Sequence, residues 1–345
     1  MRIKIGNRKI NNVYPVYVIA EGCDNHLGNL VVAKKMVQEA KSAGADAIKF
    51  QHHLPDEEML PNVPMSSNFN MPLYDFLKKY ALNIKQHKEL KIYCEKIGIQ
   101  YLCTPFSFKA AQELNSIGID AFKIGSGEMT DVPTLLKIAE FNKPIIVSTG
   151  MSTFQEIDRT YKMLVNRKVK IALMNCVSEY PPDYRDINLG VITKMIKRYP
   201  KAVIGHSDHT HDSYTCFAAV ALGAKIIEKH VILDKKQSGP DQSVSIDFKE
   251  LGLLIEGIRK IEMALGNEKN IHKKEVQIRE WAFRSLISTR NILCEEKIKE
   301  DMIWSKRPGT GIPAYRRKEI IGLIAKRDIP ANKLLSWEDF KEKKH

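Results

Sequence analysis

The sequence predicts an α/β fold, a (β/α)₈ barrel followed by a small β-rich domain, and three observations carry that prediction. Short, continuous apolar runs alternate with helix-period segments eight times, the pattern of a parallel sheet covered by helices. No GxGxxG turn follows the first run, which argues against a doubly wound open sheet. Beyond residue 281 the chain changes to short apolar stretches broken by turns, with no long helix.

Taken in order, the strand candidates are YPVYVIAE (14–21), DAIKFQ (46–51), IQYLCTPF (99–106) and AFKIGSG (121–127). KPIIVSTG (143–150), KIALMNCV (170–177), KAVIGHSD (201–208) and AKIIEKHV (224–231) complete the set. Amphipathic stretches such as VVAKKMVQEAKSAG (31–44), HKELKIYCEKIG (87–98) and DSYTCFAAVALGA (212–224) lie between them and read as the outer helices. After the second strand, residues 52–84 are too long for an ordinary βα loop and are expected to form a lid or binding loop. The expected organisation is a barrel over 1–265, a polar, partly helical linker over 266–281 and the small domain over 282–345.

Composition narrows the function classes. The 345 residues carry 54 Lys and Arg against 41 Asp and Glu, a formal charge of +13. The lysines are spread along helix-like segments, and no basic stripe is interleaved with aromatics. Nucleic acid is therefore not an expected partner, whereas an anionic substrate is. Six scattered cysteines without a CxxC pair read as reduced, buried thiols of a cytoplasmic protein. MRIKIGNRKI has no apolar centre of the signal-peptide kind, and no run reaches the roughly 18 apolar residues of a membrane span.

In a barrel of this type the chemistry sits at the C-terminal strand ends. Those ends supply Glu21, Asn25 and His26; Lys49 and Gln51; Thr104 and Ser107; and Lys123, Ser126 and Glu128. Ser148 and Thr149, then Asn175, Ser178 and Tyr180, then His206 to His209, and finally Glu228 to His230 complete the ring. A lysine inside an apolar strand is costly to bury unpaired, so Lys49 and Lys123 read as ligand-facing ammonium groups or as Schiff-base nucleophiles. GHSDHTHD places three histidines in six residues. His209 and His230, at the ends of adjacent strands, are the expected pair of metal ligands, and His206 and His211 are set aside.

Several motifs together resemble the N-acetylneuraminate (sialic acid) synthase family, including the legionaminate and pseudaminate synthases. They are IAEGCDNHLGNL (19–30), AIKFQ (47–51), YLCTPFS (101–107), FKIGSGE (122–128), IIVSTGM (145–151), GHSDHT (205–210) and IEKHVILDKKQSGPDQSVSID (227–247). SKRPGTGIP (305–313) resembles part of the antifreeze-like SAF domain that follows the barrel in that family. The resemblance implies condensation of phosphoenolpyruvate with an N-acetylmannosamine-type hexose, or a 2,4-diacetamido relative, to give a nine-carbon 2-keto acid and phosphate. It also implies a divalent metal, Mn²⁺ first and Mg²⁺ or Co²⁺ as substitutes, on His209 and His230. Lys49, Lys123, Thr104, Ser126, Ser148 and Ser207 supply donors and positive charge for phosphoenolpyruvate, with Asn175 and Ser178 added by the resemblance. Glu21 becomes the general base or acid, with Glu128 and Asp208 as further candidates and Lys49 beside them. Gln51, Tyr180 and Asp241 are the implied sugar contacts. Arg307 is implied to reach the sugar of a partner subunit in a domain-swapped homodimer. Two departures bear on the choice of sugar: EGCDNHLG stands where relatives more often read EIGINHNG or EAGVNHNG, and Asn175 stands where a His is common.

Rival readings are a Schiff-base pyruvate aldolase using Lys49 or Lys123, synthases of shorter keto-acid phosphates, and a non-catalytic carbohydrate- or ice-binding protein. The paired histidines and the donors at every strand end favour the synthase.

Overall fold

Eight parallel strands, each flanked by apolar side chains on both faces, form the wall of a barrel in the computed structural model, which describes residues 2–64 and 71–341. A hairpin precedes them, β1 (Ile3–Ile5) paired antiparallel with β2 (Arg8–Ile10), turning at Gly6 with φ 52°. The barrel strands are β3 (Tyr17–Glu21), β4 (Ala47–His52), β5 (Gln100–Pro105) and β6 (Phe122–Ile124). They continue with β7 (Ile145–Ser148), β8 (Ile171–Cys176), β9 (Ala202–Asp208) and β10 (Ile226–His230). Seven fall inside the runs read from the sequence, and β4 runs one residue further, to His52. The ladder runs from β5 through β4, β3, β10, β9, β8 and β7 to β6, and β5 and β6 are neighbours across the remaining seam.

The connecting helices are α1 (Leu30–Ala43), α2 (Pro55–Glu58), α3 (Leu73–Tyr80), α4 (Ile84–Ile97) and α5 (Phe108–Ser116). Then come α6 (Val132–Ala139), α7 (Phe154–Asn166), α8 (Gly190–Arg198), α9 (Tyr214–Ala221) and α10 (Phe248–Ala264). Local chemistry sets their ends. Asn83 and Gln86 close a capping box at the start of α4, as Thr153 and Glu156 do at α7 and Asp247 and Glu250 at α10. α1 and α4 stop at Gly44 and Gly98, whose positive φ turns the chain back into a strand.

Two apolar shells follow from the two faces of each strand. The larger lies between strands and helices and includes Val18, Ile48, Cys103, Leu173 and Ile227. The smaller fills the barrel, where Tyr17, Ile19, Leu102, Ile146, Met174 and Ile226 meet Ile3, Ile5 and Ile10 of the hairpin. The hairpin therefore closes the end of the barrel opposite the C-terminal strand ends, a role its IKI and RKI repeats signal only through period-two alternation. Within the 52–84 insertion the structure gives α2 and α3; residues 65–70 lie outside the described residues.

The chain divides into two compact units after Gly266. The second unit contains α11 (Lys273–Ala282), β11 (Ser285–Ser288) paired antiparallel with β12 (Ile303–Lys306), and the short α12 (Arg317–Ile320). Leu286, Ile292, Ile298, Met302, Ile303 and Phe340 lie in its separate core. Its one buried carboxylate among the described residues, Asp339, accepts hydrogen bonds from Arg327 and Lys333 and from the backbone N–H of Ser336. No described helix is long and apolar enough to cross a membrane.

Candidate functional site

Side chains alternate across a strand, so residues two apart share a face. Stepping up from the interior apolar layer therefore brings Glu21, Lys49, Thr104, Lys123, Ser148, Ser207 and Glu228 into the barrel mouth, and all are buried. They line a cavity of about 460 Å³ at the C-terminal ends of the strands. The ladders set them side by side, with Glu21 opposite Lys49 and Glu228 opposite Ser207.

Two ammonium and two carboxylate groups balance one another at the floor. Lys49 pairs with Glu21, lies 3.9 Å from Glu228 and donates to Thr104 Oγ1 at 3.0 Å. Lys123 donates to Ser148 Oγ at 2.7 Å and stands 3.3 Å from Glu228, which also accepts from Ser207 at 2.9 Å. Burial works against the charge on Glu228, but Lys123 and Lys49 outweigh it and hold its pKa below the ordinary carboxylate range. Burial also lowers the Lys49 ammonium to about 8.

A second group of titratable side chains rims the cavity. His53 Nδ1 lies 3.0 Å from Glu58 of α2, Nε2 lies 3.0 Å from Gln51 Oε1, and the ring stacks on Phe106 at 4.1 Å. Asp24 is 3.6 Å from the same imidazole, and burial raises its carboxyl to about 6. Burial raises Glu128 to about 7, and its Oε2 is buried without a hydrogen-bond partner. On the opposite wall the Gly150 N–H donates to Ser126 Oγ at 3.0 Å. A β-carbon at Gly150 would sit 2.2 Å from Ser178 Oγ, so the missing side chain admits both hydroxyls to the cavity.

The remaining corner suits a cation. His209 Nδ1 donates to the Val177 carbonyl at 2.6 Å, which leaves Nε2 as the ring's lone pair. Its ring stacks on Tyr180 at 4.3 Å and lies 5.1 Å from that of His230. Burial first, then neighbouring charges, keep His230 well below the usual imidazole pKa and so neutral, and its Nδ1 is buried without a partner. Cys23, His230 and Asp241 offer ligand atoms that all lie within 4.8 Å of one another. An imidazole, a thiol and a carboxyl held this close together fit a divalent ion.

The expected site residues thus divide. Glu21, Lys49, Gln51, Thr104, Lys123, Ser126, Glu128, Ser148, Ser178, Tyr180, Ser207, His209, His230 and Asp241 line one cavity. Asp208 and Asn175 do not, because each is one residue out of phase with its inward neighbour. Asp208 faces the helices, pairing with Lys229 at 2.6 Å and accepting from Thr215 at 2.6 Å and Thr210 at 2.7 Å. The Asn175 carbonyl accepts from His206 at 3.1 Å. Arg307 lies in the second unit, where its guanidinium stands 5.3 Å over the Trp281 ring and donates to the Ala282 carbonyl at 3.1 Å. Residues given no role from the sequence also line the cavity, namely Asp24, His53, Glu58, Phe106, Cys176 and the hub Glu228. Counting back two from His230 and two from Ser178 reaches Glu228 and Cys176. No comparable rule reaches Glu58, which comes from the insertion.

Comparison with known proteins agrees with this architecture. The NeuB family profile matches residues 36–270, and the SAF domain profile matches 283–341. An N,N'-diacetyllegionaminic acid synthase of Campylobacter jejuni is 36% identical over 92% of this chain and 98% of its own. A Legionella pneumophila protein of the same name is 34% identical over 96% of this chain and 98% of its own. The crystal structure of a Leptospira borgpetersenii N-acetylneuraminic acid (sialic acid) synthetase in complex with citrate has TM-score 0.74 and 32% identity, covering 81% of this chain and 95% of that one. With matches across both units and a polar cavity at the strand ends where a barrel enzyme keeps its chemistry, this chain belongs to the NeuB family and carries a SAF domain.

Proposed function

We propose that the protein condenses phosphoenolpyruvate and water with an N-acetylated hexosamine, giving a nine-carbon 2-keto acid and inorganic phosphate. The observation that carries this reading is the buried Lys49–Lys123 pair, set among Thr104, Ser148 and Ser207 at the cavity floor. Phosphoenolpyruvate brings a phosphate and a carboxylate. Two ammonium groups with hydroxyl donors beside them satisfy both anions in a place where an unpaired lysine would be costly. Ser126 and Ser178, on either side of Gly150, extend the donor row, whereas Asn175 lies outside it, against His206.

The reaction joins C3 of the enol to the sugar aldehyde carbon while water adds to C2 and the C2–O bond to phosphate breaks. Glu21, paired with Lys49, is placed to take the proton from water. Glu128, with its pKa near neutrality, is placed to give one to the developing alkoxide. Gln51, Tyr180 and Asp241 face the cavity where the sugar hydroxyls are expected, and Asp208 holds Lys229 from behind. His209 and His230 would hold the ion, Mn²⁺ in the first instance with Mg²⁺ or Co²⁺ as substitutes. A divalent ion there would supply Lewis acidity toward the aldehyde.

Two further parts of the reading concern assembly and place. Trp281 and Phe283 are exposed, α11 buries none of its side chains, and Arg307 rests on Trp281. Such an apolar, cation-bearing surface supports a homodimer in which the SAF domain of one chain serves the sugar site of the other. A cytoplasmic enzyme acting in sialic-acid-type polysaccharide biosynthesis would find phosphoenolpyruvate at hand.

Incubation with phosphoenolpyruvate and either N-acetylmannosamine or a 2,4-diacetamido hexose tests this, with phosphate release and product mass as readouts. Release with one of these sugars, lost in EDTA and restored by Mn²⁺, is expected. Absence of release with every acetamido hexose overturns the reading. Arg307→Ala should raise KM for the sugar several-fold at unchanged kcat. The depressed Lys49 ammonium also suits a Schiff-base aldolase, whose mark is trapping by borohydride with pyruvate and indifference to EDTA.

A further inference from the structure

We infer that the divalent ion held by His209 and His230 is also bound through sulfur, with Cys23 a further protein ligand and Asp241 beside it, so that the site favours Fe²⁺, Co²⁺ and Zn²⁺ over Mg²⁺. The inference deepens the metal role in the reading above, but it is tested by binding and not by turnover.

The geometry comes from two loops tied together on either side of His230. The loop after β3 carries Cys23, and the loop after β10 carries Asp241. Asn25 Nδ2 donates across to the Val231 carbonyl at 2.9 Å and to Ser245 Oγ at 3.0 Å. Gln237 Nε2 returns a bond to the Asn25 carbonyl at 2.7 Å, and Ser245 Oγ fastens the Asp241 carbonyl at 2.7 Å. This lacing brings thiol, imidazole and carboxyl within 4.8 Å of one another, with Cys23 and His230 buried and Asp241 half-buried. Cys23 is further fixed by its backbone N–H, which donates to Glu21 at 2.7 Å, and by a left-handed backbone with φ 37°. A residue other than glycine is held there at a cost, which gives the thiol's position added meaning.

His230 Nδ1 has no hydrogen-bond partner in a residue only 5% exposed, so the imidazole itself carries an unmet polar atom. Charge supports a cation: a cysteine and an aspartate can each give up a proton to a bound divalent ion and so neutralise it, and a neutral set is the one a buried site tolerates. The sulfur decides which cation. Thiolate with imidazole and carboxylate suits borderline ions, whereas Mg²⁺ takes an all-oxygen set. Cys176 is the competing thiol, 4.0 Å from His209 Nδ1.

Full-length, metal-free protein titrated with Co²⁺ tests this through the near-ultraviolet thiolate-to-cobalt charge-transfer band. The band is expected in the wild type and in Cys176→Ser. It is expected to vanish in Cys23→Gly, whose glycine accepts the positive φ, and in Cys23→Ser, which keeps the side-chain shape. Co²⁺ affinity should fall on the order of tenfold or more in both Cys23 variants. Equimolar Zn²⁺ should remove the band from the wild type and Mg²⁺ should leave it. A band that survives in either Cys23 variant, Co²⁺ bound without a band, no Co²⁺ binding, or equal competition by Mg²⁺ overturns the inference. A failed condensation assay with the band intact would instead overturn the proposed reaction and leave the sulfur ligand standing.

Discussion

Glu228 and Lys229 are neighbours on one strand, yet they belong to two different ion-pair clusters, one on each side of the sheet. Glu228 points into the barrel, where Lys49, Lys123 and Ser207 meet it at the floor of an open cavity. Lys229 points out and is completely buried, held by Asp208 and the Thr210 carbonyl. The outer cluster is saturated: Asp208 accepts from Lys229, Thr210 and Thr215 and faces His206 at 3.3 Å. The inner one is not, since Glu228 Oε2 has no hydrogen-bond partner. Equal burial and equal charge thus serve two ends. A closed network fixes strand ends in place, and an open one keeps donors free for a ligand.

Breaking each cluster should separate the two roles. Lys229→Met leaves Asp208 as a buried carboxylate without its cation, so a stability loss of about 3–5 kcal/mol is expected in urea unfolding. A loss below about 1 kcal/mol would show that the outer pair is dispensable. Lys123→Met should act the other way. Glu228 keeps Ser207 and Lys49, so stability falls less, but kcat/KM for phosphoenolpyruvate should drop on the order of a hundredfold or more. If Lys123→Met unfolds the protein and leaves the residual enzyme active, the functional assignment of the inner cluster fails. Ser148→Ala removes one hydroxyl from the same floor and should raise the phosphoenolpyruvate KM by roughly tenfold, the value of a single hydrogen bond.

The smallest effect concerns pH. Burial raises Glu128 to about 7 in the folded protein against an ordinary 4.5. The folded state therefore holds a proton that the unfolded state has lost, so this group's contribution to stability is full below pH 4.5 and declines as pH rises to about 7. Glu128→Gln removes that dependence. The variant should match the wild type in Tm near pH 4.5 and exceed it modestly at pH 8; an equal or larger advantage at low pH would contradict the raised pKa.

Much of this was legible in the sequence because burial on both faces leaves continuous apolar runs, and each run ends where polar residues begin. Lys49, Lys123, Ser148, Ser207 and His230 could be picked out on that ground. Asp208 and Asn175 were picked out on the same ground, although they face the other way. Adjacent polar residues at a strand end look alike until the phase is fixed by the apolar layer below them, here Val203 and Gly205 leading to Ser207 and not to Asp208. The β1–β2 hairpin was invisible as a plug because its partners, such as Ile146 and Met174, are far away in the chain.

The sequence alone determined the order of eight strands and helices, the small second domain, and the strand ends as the place of chemistry, because these depend on periodicity and local capping. Tertiary structure alone decided that Glu228 joins Lys49 to Lys123, that Glu58 of the insertion reaches His53, and that Cys23 and Asp241 converge on His230. Those contacts join residues tens to hundreds of positions apart, and only closing the barrel brings them within reach.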